Sequence, residues 1–115
     1  MKPEAQVLKL ITDWLSAERI WWRRRNAGAA FIEGRKIGYG VAGDSDLEVI
    51  YIDRLKFQGK DCFITKVLFV EVKAPKGKQS EAQKRFQAEV EALGCTYCLA
   101  YSLDDVQAAL GMETK

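Results

Sequence analysis

Apolar residues recur every three or four positions near the start of the chain, which is the spacing of one helix face. The positions that follow this spacing are Val7, Leu8, Ile11, Trp14 and Leu15. Pro3 suits the first turn of a helix, where a backbone N–H has no intrahelical partner. The pattern therefore predicts a first helix over about residues 3–17.

The middle of the chain changes to short extended patterns separated by glycines. The predicted extended segments are residues 20–26, 30–32, 35–37, 46–53 and 62–73. The second and third form a hairpin around Glu33-Gly34, and Gln58-Gly59 lies in the turn between the last two. Segment 62–73 is the longest, and its apolar, β-branched end predicts a strand buried in a sheet.

The last third of the chain predicts a helix, a strand and a short helix. Ser80 begins the first helix and Gly94 ends it. The strand is predicted over 96–102 and the short helix over about 103–110. A strand, a helix and a second strand in one sheet require a right-handed parallel crossover. The chain of 115 residues thus predicts one α/β domain, with a mixed central β-sheet flanked by helices.

A charged pair ends the longest predicted strand. Because side chains alternate along a strand, Glu71 and Lys73 point to the same face as Phe69. Charges inside a domain are costly to desolvate unless they are paired or bind an ion. An acidic residue, Asp46, stands 25 positions before Glu71. An Asp followed at this distance by Glu-x-Lys is typical of a metal-dependent phosphodiesterase site.

The residue types that are missing or rare narrow the chemistry. The chain has no histidine, which excludes Ser-His-Asp and Cys-His catalysis, HNH-type nucleases and histidine-ligated zinc hydrolases. Cys95 and Cys98 form a lone C-x-x-C on a predicted strand, where they would face opposite sides; we expect core packing there. Any catalysis should use carboxylates, lysine, glutamine or tyrosine, with a hard cation held by oxygen ligands.

The net charge of +2 is less informative than its distribution. Two basic patches stand out, one over residues 18–36 and one over residues 73–85. Such patches beside carboxylates fit a polyanionic substrate, although solvated surface charge is the alternative. No apolar run is long enough to span a membrane and the N-terminus lacks a signal-peptide pattern, so a cytoplasmic protein with no membrane partner is expected.

Four short motifs in this order resemble the VRR-NUC (virus-type replication-repair nuclease) domain of the PD-(D/E)xK nuclease superfamily. They are Gly43-Asp44-Ser45-Asp46-Leu47, the run from Phe69 to Gly77, Ser80-Glu81-Ala82-Gln83 and Gly94-Cys95-Thr96-Tyr97. The resemblance covers nearly the whole chain, and it departs where Ser45 replaces the proline before Asp46. It implies a restriction-endonuclease-like core and a stand-alone virus- or prophage-type nuclease of a bacterial host.

The resemblance also implies roles at the end of the long strand. Asp46, Glu71 and the Val72 carbonyl would bind one or two Mg²⁺ or Mn²⁺ ions, and Lys73 would orient the attacking water. Glu4 matches an acidic position of the family and is a further candidate ligand. Its alternative role is a carboxylate in the first turn of a helix, where the helix dipole favours it.

Several residues keep two interpretations. Gln83 either completes a capping box with Ser80 or supports Lys73 and the water at the active site. Asp44 and Glu48 share the strand parity of Asp46, so either is an alternative ligand. Of the adjacent pair Trp21-Trp22, one ring should be buried and one exposed; the exposed ring either stacks on an unpaired base or packs in a dimer.

The expected function is a divalent-metal-dependent, structure-selective DNA endonuclease. Residues expected to contact DNA are Arg23, Arg24, Arg25, Asn26, Lys76, Lys78 and Lys84. Small stand-alone members of the family resemble four-way (Holliday) junction resolvases, which act as homodimers because two nicks need two sites. The alternatives are a monomeric flap or nicking nuclease and a non-catalytic DNA-binding subunit.

Overall fold

The computed structural model describes residues 3–25, 28–32, 35–39 and 42–112. Its elements are α1 (Pro3–Ala17), β1 (Trp21–Arg24), β2 (Gly28–Ile32), β3 (Arg35–Tyr39), β4 (Leu47–Phe57), β5 (Lys60–Val72), α2 (Glu81–Ala92), β6 (Thr96–Ala100) and α3 (Leu103–Ala109). The predicted helices and strands are all present. The strands β4 and β5 extend further towards their shared turn than the sequence pattern indicates.

The main sheet has four strands in the order β1-β4-β5-β6. The pairs β1–β4 and β4–β5 are antiparallel, whereas β5 and β6 are parallel and joined by α2. The expected mixed sheet with a parallel crossover is therefore confirmed. The predicted hairpin is also present, as the separate antiparallel pair β2–β3. Glu33 and Gly34, at its turn, lie outside the described residues.

Each face of the sheet packs against different helices. Leu68, Val70 and Val72 of β5 join a core cluster with Ile11 of α1 and Val106 of α3. On the opposite face, a smaller cluster contains the strand residue Phe69 and two α2 residues, Phe86 and Val90. The alternation expected along β5 is thus confirmed. The face with Phe69 also carries Glu71 and lies under α2, so this helix covers the candidate site.

The β4–β5 hairpin projects beyond the rest of the sheet. The strand β1 pairs with β4 only from Leu47 to Ile50, and β6 pairs with β5 only from Leu68 to Val72. Residues 52–65, which we call the arm, therefore form a two-stranded ribbon. The large apolar residues exposed on the arm are Ile52, Leu55, Phe57, Phe63 and Ile64. The molecule is accordingly long, with extents of 61 × 30 × 26 Å.

The adjacent tryptophans separate as predicted. Trp22 packs against the larger core and its Nε1 donates to Ser16 Oγ (2.9 Å), whereas Trp21 is 51% exposed. Cys98 is buried in the larger core and Cys95 packs against the smaller one, so these thiols face opposite sides of the sheet. None of the helices in the described residues has the length and apolar character needed to cross a membrane.

Candidate active site

Glu71 is a buried carboxylate near the end of β5, with only 5% of its surface exposed. Its Oε1 accepts a hydrogen bond from Gln83 Nε2 (3.1 Å) and lies 3.6 Å from Lys73 Nζ. Its Oε2 is buried without a hydrogen-bond partner among the described residues. Native proteins rarely leave a buried polar oxygen in this state, because its desolvation is uncompensated. This oxygen therefore marks a place where a further positive or donor group belongs.

Asp46 lies next to Glu71 because the Asp46 side chain accepts a hydrogen bond from the backbone of β5. Its backbone N–H donates to Val70 O (2.9 Å), just before the regular ladder of β4 begins at Leu47. The N–H of Val72 lies beyond that ladder and donates to Asp46 Oδ2 (2.7 Å). The Asp46 carboxylate thus accepts the hydrogen bond that a carbonyl of a longer β4 would accept. This bond holds Asp46 beside the buried Glu71.

The pKa values of both carboxylates are raised, and burial is the main cause for each. Burial raises the pKa of Glu71 to about 7; the charge of Asp46 adds to this, and Lys73 opposes it. Burial also raises the pKa of Asp46, against the lowering effect of the hydrogen bond from the Val72 N–H. Glu4 contributes repulsion to both. The local electrostatics therefore favour a proton or a cation between the carboxylates.

Lys73 follows Glu71 by two positions and points to the same face, as the alternation predicted. Its backbone N–H donates to Ala100 O (3.0 Å), which fixes the end of β5 against β6. Its side chain is 16% exposed, so the ammonium is largely enclosed while it faces Glu71. The pair is the desolvated carboxylate and ammonium that the sequence pattern indicated.

Gln83 forms the predicted capping box and also bonds Glu71, whereas its support of Lys73 and the water stays a prediction. Ser80 Oγ accepts from the Gln83 backbone N–H (3.1 Å), and Gln83 Oε1 accepts from the Ser80 backbone N–H (2.9 Å), which completes the capping box. The amide nitrogen of the same side chain donates to Glu71 Oε1. The start of α2 therefore lies over the site, and its cap fixes the orientation of the buried carboxylate.

The turn before β4 approaches the start of α2 very closely. Gly43 has a φ of +75°, and a Cβ at this position would collide with the backbone carbonyl of Ala82. Only glycine fits both the backbone conformation and the space. This contact brings the turn that carries Asp46 against the helix that carries Gln83.

Glu4 lies beside the pair but bonds elsewhere. Its Oε1 accepts from the Ala74 backbone N–H (3.3 Å), just after β5. Within the ranges that the structure describes, no group of three or more His, Cys, Asp or Glu side chains has the arrangement of a metal site. Of the predicted ligands, Asp46 and Glu71 lie together at the end of β5. The role of Glu4 as a ligand stays a prediction.

Asp44 and Glu48, the alternative ligands, bind arginines instead. Arg25 Nε donates to Asp44 Oδ1 (3.0 Å) and Arg25 Nη1 donates to Glu48 Oε1 (2.9 Å). Arg23 also bonds Glu48 Oε1 through its Nε (3.0 Å). Because their charges are neutralised within the chain, Asp44 and Glu48 are poorer cation ligands than the pair of Asp46 and Glu71.

The other predicted DNA contacts lie at the surface where the structure describes them. Arg24 is exposed at the end of β1 and lies close enough to lower the pKa of Asp46. Lys76 and Lys78 are exposed in the loop after β5, and Lys84 is exposed on α2 with a 3.4 Å contact to Glu81. Asn26 lies outside the described residues. Contact of these residues with DNA stays a prediction.

Sequence reasoning missed the polar contacts that hold the loop after β5. Gln79 Nε2 donates to Gln87 Oε1 (2.9 Å) and to Tyr97 OH (3.2 Å), and Tyr101 OH donates to Gly77 O (2.9 Å). Burial raises the pKa of Tyr97 to about 12, so its phenol stays protonated. Tyr97 stands in one of the four sequence motifs, but its partners depend on how α2 packs on β6.

Comparisons of the chain with known protein families, with curated proteins and with solved structures find no match. The chemistry of the site is therefore the basis for a functional conclusion. A buried carboxylate pair with a raised pKa, an adjacent lysine and exposed cations nearby can bind a divalent cation and an anionic substrate.

Proposed function

We propose that this protein is a divalent-metal-dependent DNA endonuclease with a PD-(D/E)xK core of the VRR-NUC type. The observation that carries the proposal is Glu71, which is buried beside Asp46 and Lys73 and has one oxygen without a hydrogen-bond partner among the described residues. A purely structural ion pair would satisfy both oxygens. A carboxylate kept partly unsatisfied at the end of a sheet is better explained as a ligand.

The donor set fits Mg²⁺ or Mn²⁺. Asp46, Glu71 and the Val72 carbonyl supply hard oxygen ligands, and the chain offers no imidazole. The raised pKa of Glu71 indicates that the site lacks positive charge. When bound, the cation would lower the pKa of a water and polarise a phosphate oxygen.

The side chains around this position have separate tasks. Lys73 places an ammonium where negative charge develops on the phosphate, in a largely enclosed position that strengthens its electrostatic effect. Gln83 holds Glu71 Oε1 through its amide, which leaves the other carboxylate oxygen for a ligand. Asp46 is held by the Val72 N–H, so both carboxylates are fixed before substrate binds.

The charges near the site support a DNA substrate. Arg24 on β1 lies near Asp46, and Lys76, Lys78 and Lys84 lie in the loop after β5 and on α2; all four are exposed. Cations of this kind bind phosphates without reading bases, so recognition should depend on DNA shape and backbone. This selectivity agrees with an enzyme that acts on branched DNA.

The arm is the feature that favours a homodimeric junction resolvase over a monomeric flap or nicking nuclease. Phe57 and Phe63 are 66% and 67% exposed, on a ribbon that projects beyond the core of the described chain. A two-stranded ribbon is marginally stable alone, so a second copy would bury these rings. Two copies related by a two-fold axis would carry the two active sites that paired nicks require.

A cleavage panel tests the function. The purified protein should cut a four-way junction in Mg²⁺ or Mn²⁺ faster than a flap, fork, single strand or plain duplex of the same sequence. Cleavage should stop in chelator and in Glu71→Gln. Glu89→Gln removes the same charge from an exposed position on α2 and should leave activity unchanged.

Other results would redirect the proposal. Full cleavage in chelator, or unchanged cleavage by Glu71→Gln, would remove the metal mechanism. Preferential cutting of a flap by a monomer would favour the flap or nicking nuclease. DNA binding with no cleavage in any divalent cation would leave a non-catalytic subunit.

A further inference from the structure

Arg25, which follows β1 directly, binds the chain on both sides of Asp46. Its backbone N–H donates to the carbonyl oxygen of Asp46 (2.9 Å). Its guanidinium bonds Asp44, two residues before Asp46, and Glu48, two residues after it. One arginine therefore fixes the segment that carries Asp46 through its main chain and through both neighbouring carboxylates.

The surroundings of Arg25 keep its guanidinium in this orientation. Its side chain is 20% exposed, and the guanidinium carbon lies 5.1 Å from the centre of the Phe69 ring. Burial by itself would lower the pKa of Arg25, but the hydrogen bonds to Asp44 and Glu48 outweigh this effect. The side chain thus stays charged and enclosed between the turn, β4 and β5.

The carboxylate of Asp44 also ties this arrangement to the turn itself. Asp44 Oδ1 accepts from the backbone N–H of Ser45 (2.8 Å) as well as from Arg25. Ser45 is fully buried and its Oγ donates to Leu47 O (3.0 Å). Arg25 therefore holds the turn before Asp46 through Asp44, and it holds the start of β4 through Glu48.

We propose that Arg25 is a positioning residue, which holds the Asp46 carboxylate on the Val72 N–H and beside Glu71 in the place where a divalent cation binds. The proposal rests on the proposed function. It gives Arg25 a task different from that of its neighbour Arg24, which is exposed and has no ion pair among the described residues. We expect Arg24 to contact phosphate.

The test uses two substitutions that change charge in opposite directions. Arg25→Gln removes a positive charge and Asp44→Asn removes a negative one, and both remove the same ion pair. If charge alone acted on the cation, Arg25→Gln would tighten Mn²⁺ binding and Asp44→Asn would weaken it. Positioning predicts that both weaken it, by about tenfold or more, as for other groups that orient metal ligands.

The readouts are Mn²⁺ binding by titration calorimetry without DNA, junction affinity in Ca²⁺, and kcat in Mn²⁺. Both variants should lose Mn²⁺ affinity and kcat, while junction affinity stays close to that of wild type. Arg24→Gln is the matched control: it should lose junction affinity, and its Mn²⁺ affinity should stay the same or rise because Arg24 lies near Asp46. Arg25→Lys retains the charge but lacks the planar guanidinium that bonds both Asp44 and Glu48. Its Mn²⁺ affinity and kcat should therefore stay close to those of Arg25→Gln. Circular dichroism of each variant checks its folding. If Arg25→Gln does not fold, the Mn²⁺ affinity and kcat of Asp44→Asn decide the question.

Four outcomes are decisive. Unchanged or tighter Mn²⁺ binding by Arg25→Gln would overturn the positioning role, as would wild-type Mn²⁺ binding by Asp44→Asn. Loss of junction affinity by Arg25→Gln, with Mn²⁺ binding intact, would make Arg25 a phosphate ligand instead. Failure of the wild-type protein to bind Mn²⁺ or to cut DNA would overturn the proposed function, and the role of Arg25 with it.

Discussion

The buried Glu71 should make the metal-free protein less stable than its Glu71→Gln variant, and the size of this effect follows from its pKa. The pKa of Glu71 is raised from 4.5 to about 7, mainly by burial and by the charge of Asp46. Each pKa unit corresponds to about 1.4 kcal/mol. The ionised carboxylate therefore costs the folded protein about 3 kcal/mol above pH 7, as an order of magnitude.

The sign of the pH dependence follows from the direction of the shift. Between pH 4.5 and about 7 the folded protein holds a proton on Glu71 that the unfolded chain has released. The contribution of this proton to stability is complete below pH 4.5, falls as the pH rises, and is lost above about 7. Glu71→Gln removes the titrating group, so its advantage over wild type should be near zero at about pH 4 and about 3 kcal/mol at about pH 8.

Urea unfolding of metal-free wild type, Glu71→Gln and Glu89→Gln at about pH 4 and about pH 8 measures the effect. Glu89 is exposed on α2, so its variant should match wild type at both pH values. Adding Mn²⁺ at the higher pH should raise the stability of wild type and not of Glu71→Gln, because a ligand stabilises only the form that binds it. Equal stability of wild type and Glu71→Gln at the higher pH would refute the reasoning that Glu71 is held at an electrostatic cost.

Lys73→Ala should lower kcat by about a hundredfold or more, because it removes an enclosed charge that acts on the transition state. Junction affinity should change little, and near-normal cutting would mean that the site is misassigned. Replacing Lys76 and Lys78 with Gln should weaken binding equally across sequences and reduce the slope of log K against log salt by about one for each phosphate that the variant no longer binds; an unchanged slope would make them ordinary surface charges. Sedimentation at micromolar concentration should give about twice the chain mass of 13.0 kDa, and Phe57→Ser with Phe63→Ser on the arm should yield monomers; a wild-type monomer with and without DNA would exclude the resolvase.

The helix and strand order follows from local patterns, because periodicity and caps are local properties. Ser80 and Gly94 bound α2 as predicted, and the alternation along 67–73 places Glu71 and Lys73 on one face. The sequence predicted Gln83 either in a capping box or at the active site beside Lys73 and the water, and it did not identify Glu71 as the partner of the Gln83 amide. That bond depends on where the start of α2 lies over the sheet, which no local pattern specifies.

The contacts of the arginines could not be predicted in this way. Arg25 meets Asp44 and Glu48 only because the register of β1 against β4 pairs Arg24 with Leu47. A shift of two residues would place other charges together, and no local pattern specifies that register. The length of the arm was missed for a similar reason: its exposed faces mix apolar and charged residues, so they lack the periodicity of a buried strand.

The hydrogen bond between Asp46 and the Val72 N–H turns one backbone amide into a reporter. Amide protons inside a sheet exchange slowly with solvent because a neighbouring strand holds them, whereas this one is held by a side chain that we place at the metal site. Its exchange rate, measured by NMR in protein without DNA, would therefore follow the position of one carboxylate. When the Asp46 carboxylate moves away, the Val72 N–H loses its hydrogen bond. Opening of the site and fraying of this end of β5 therefore occur together at this amide.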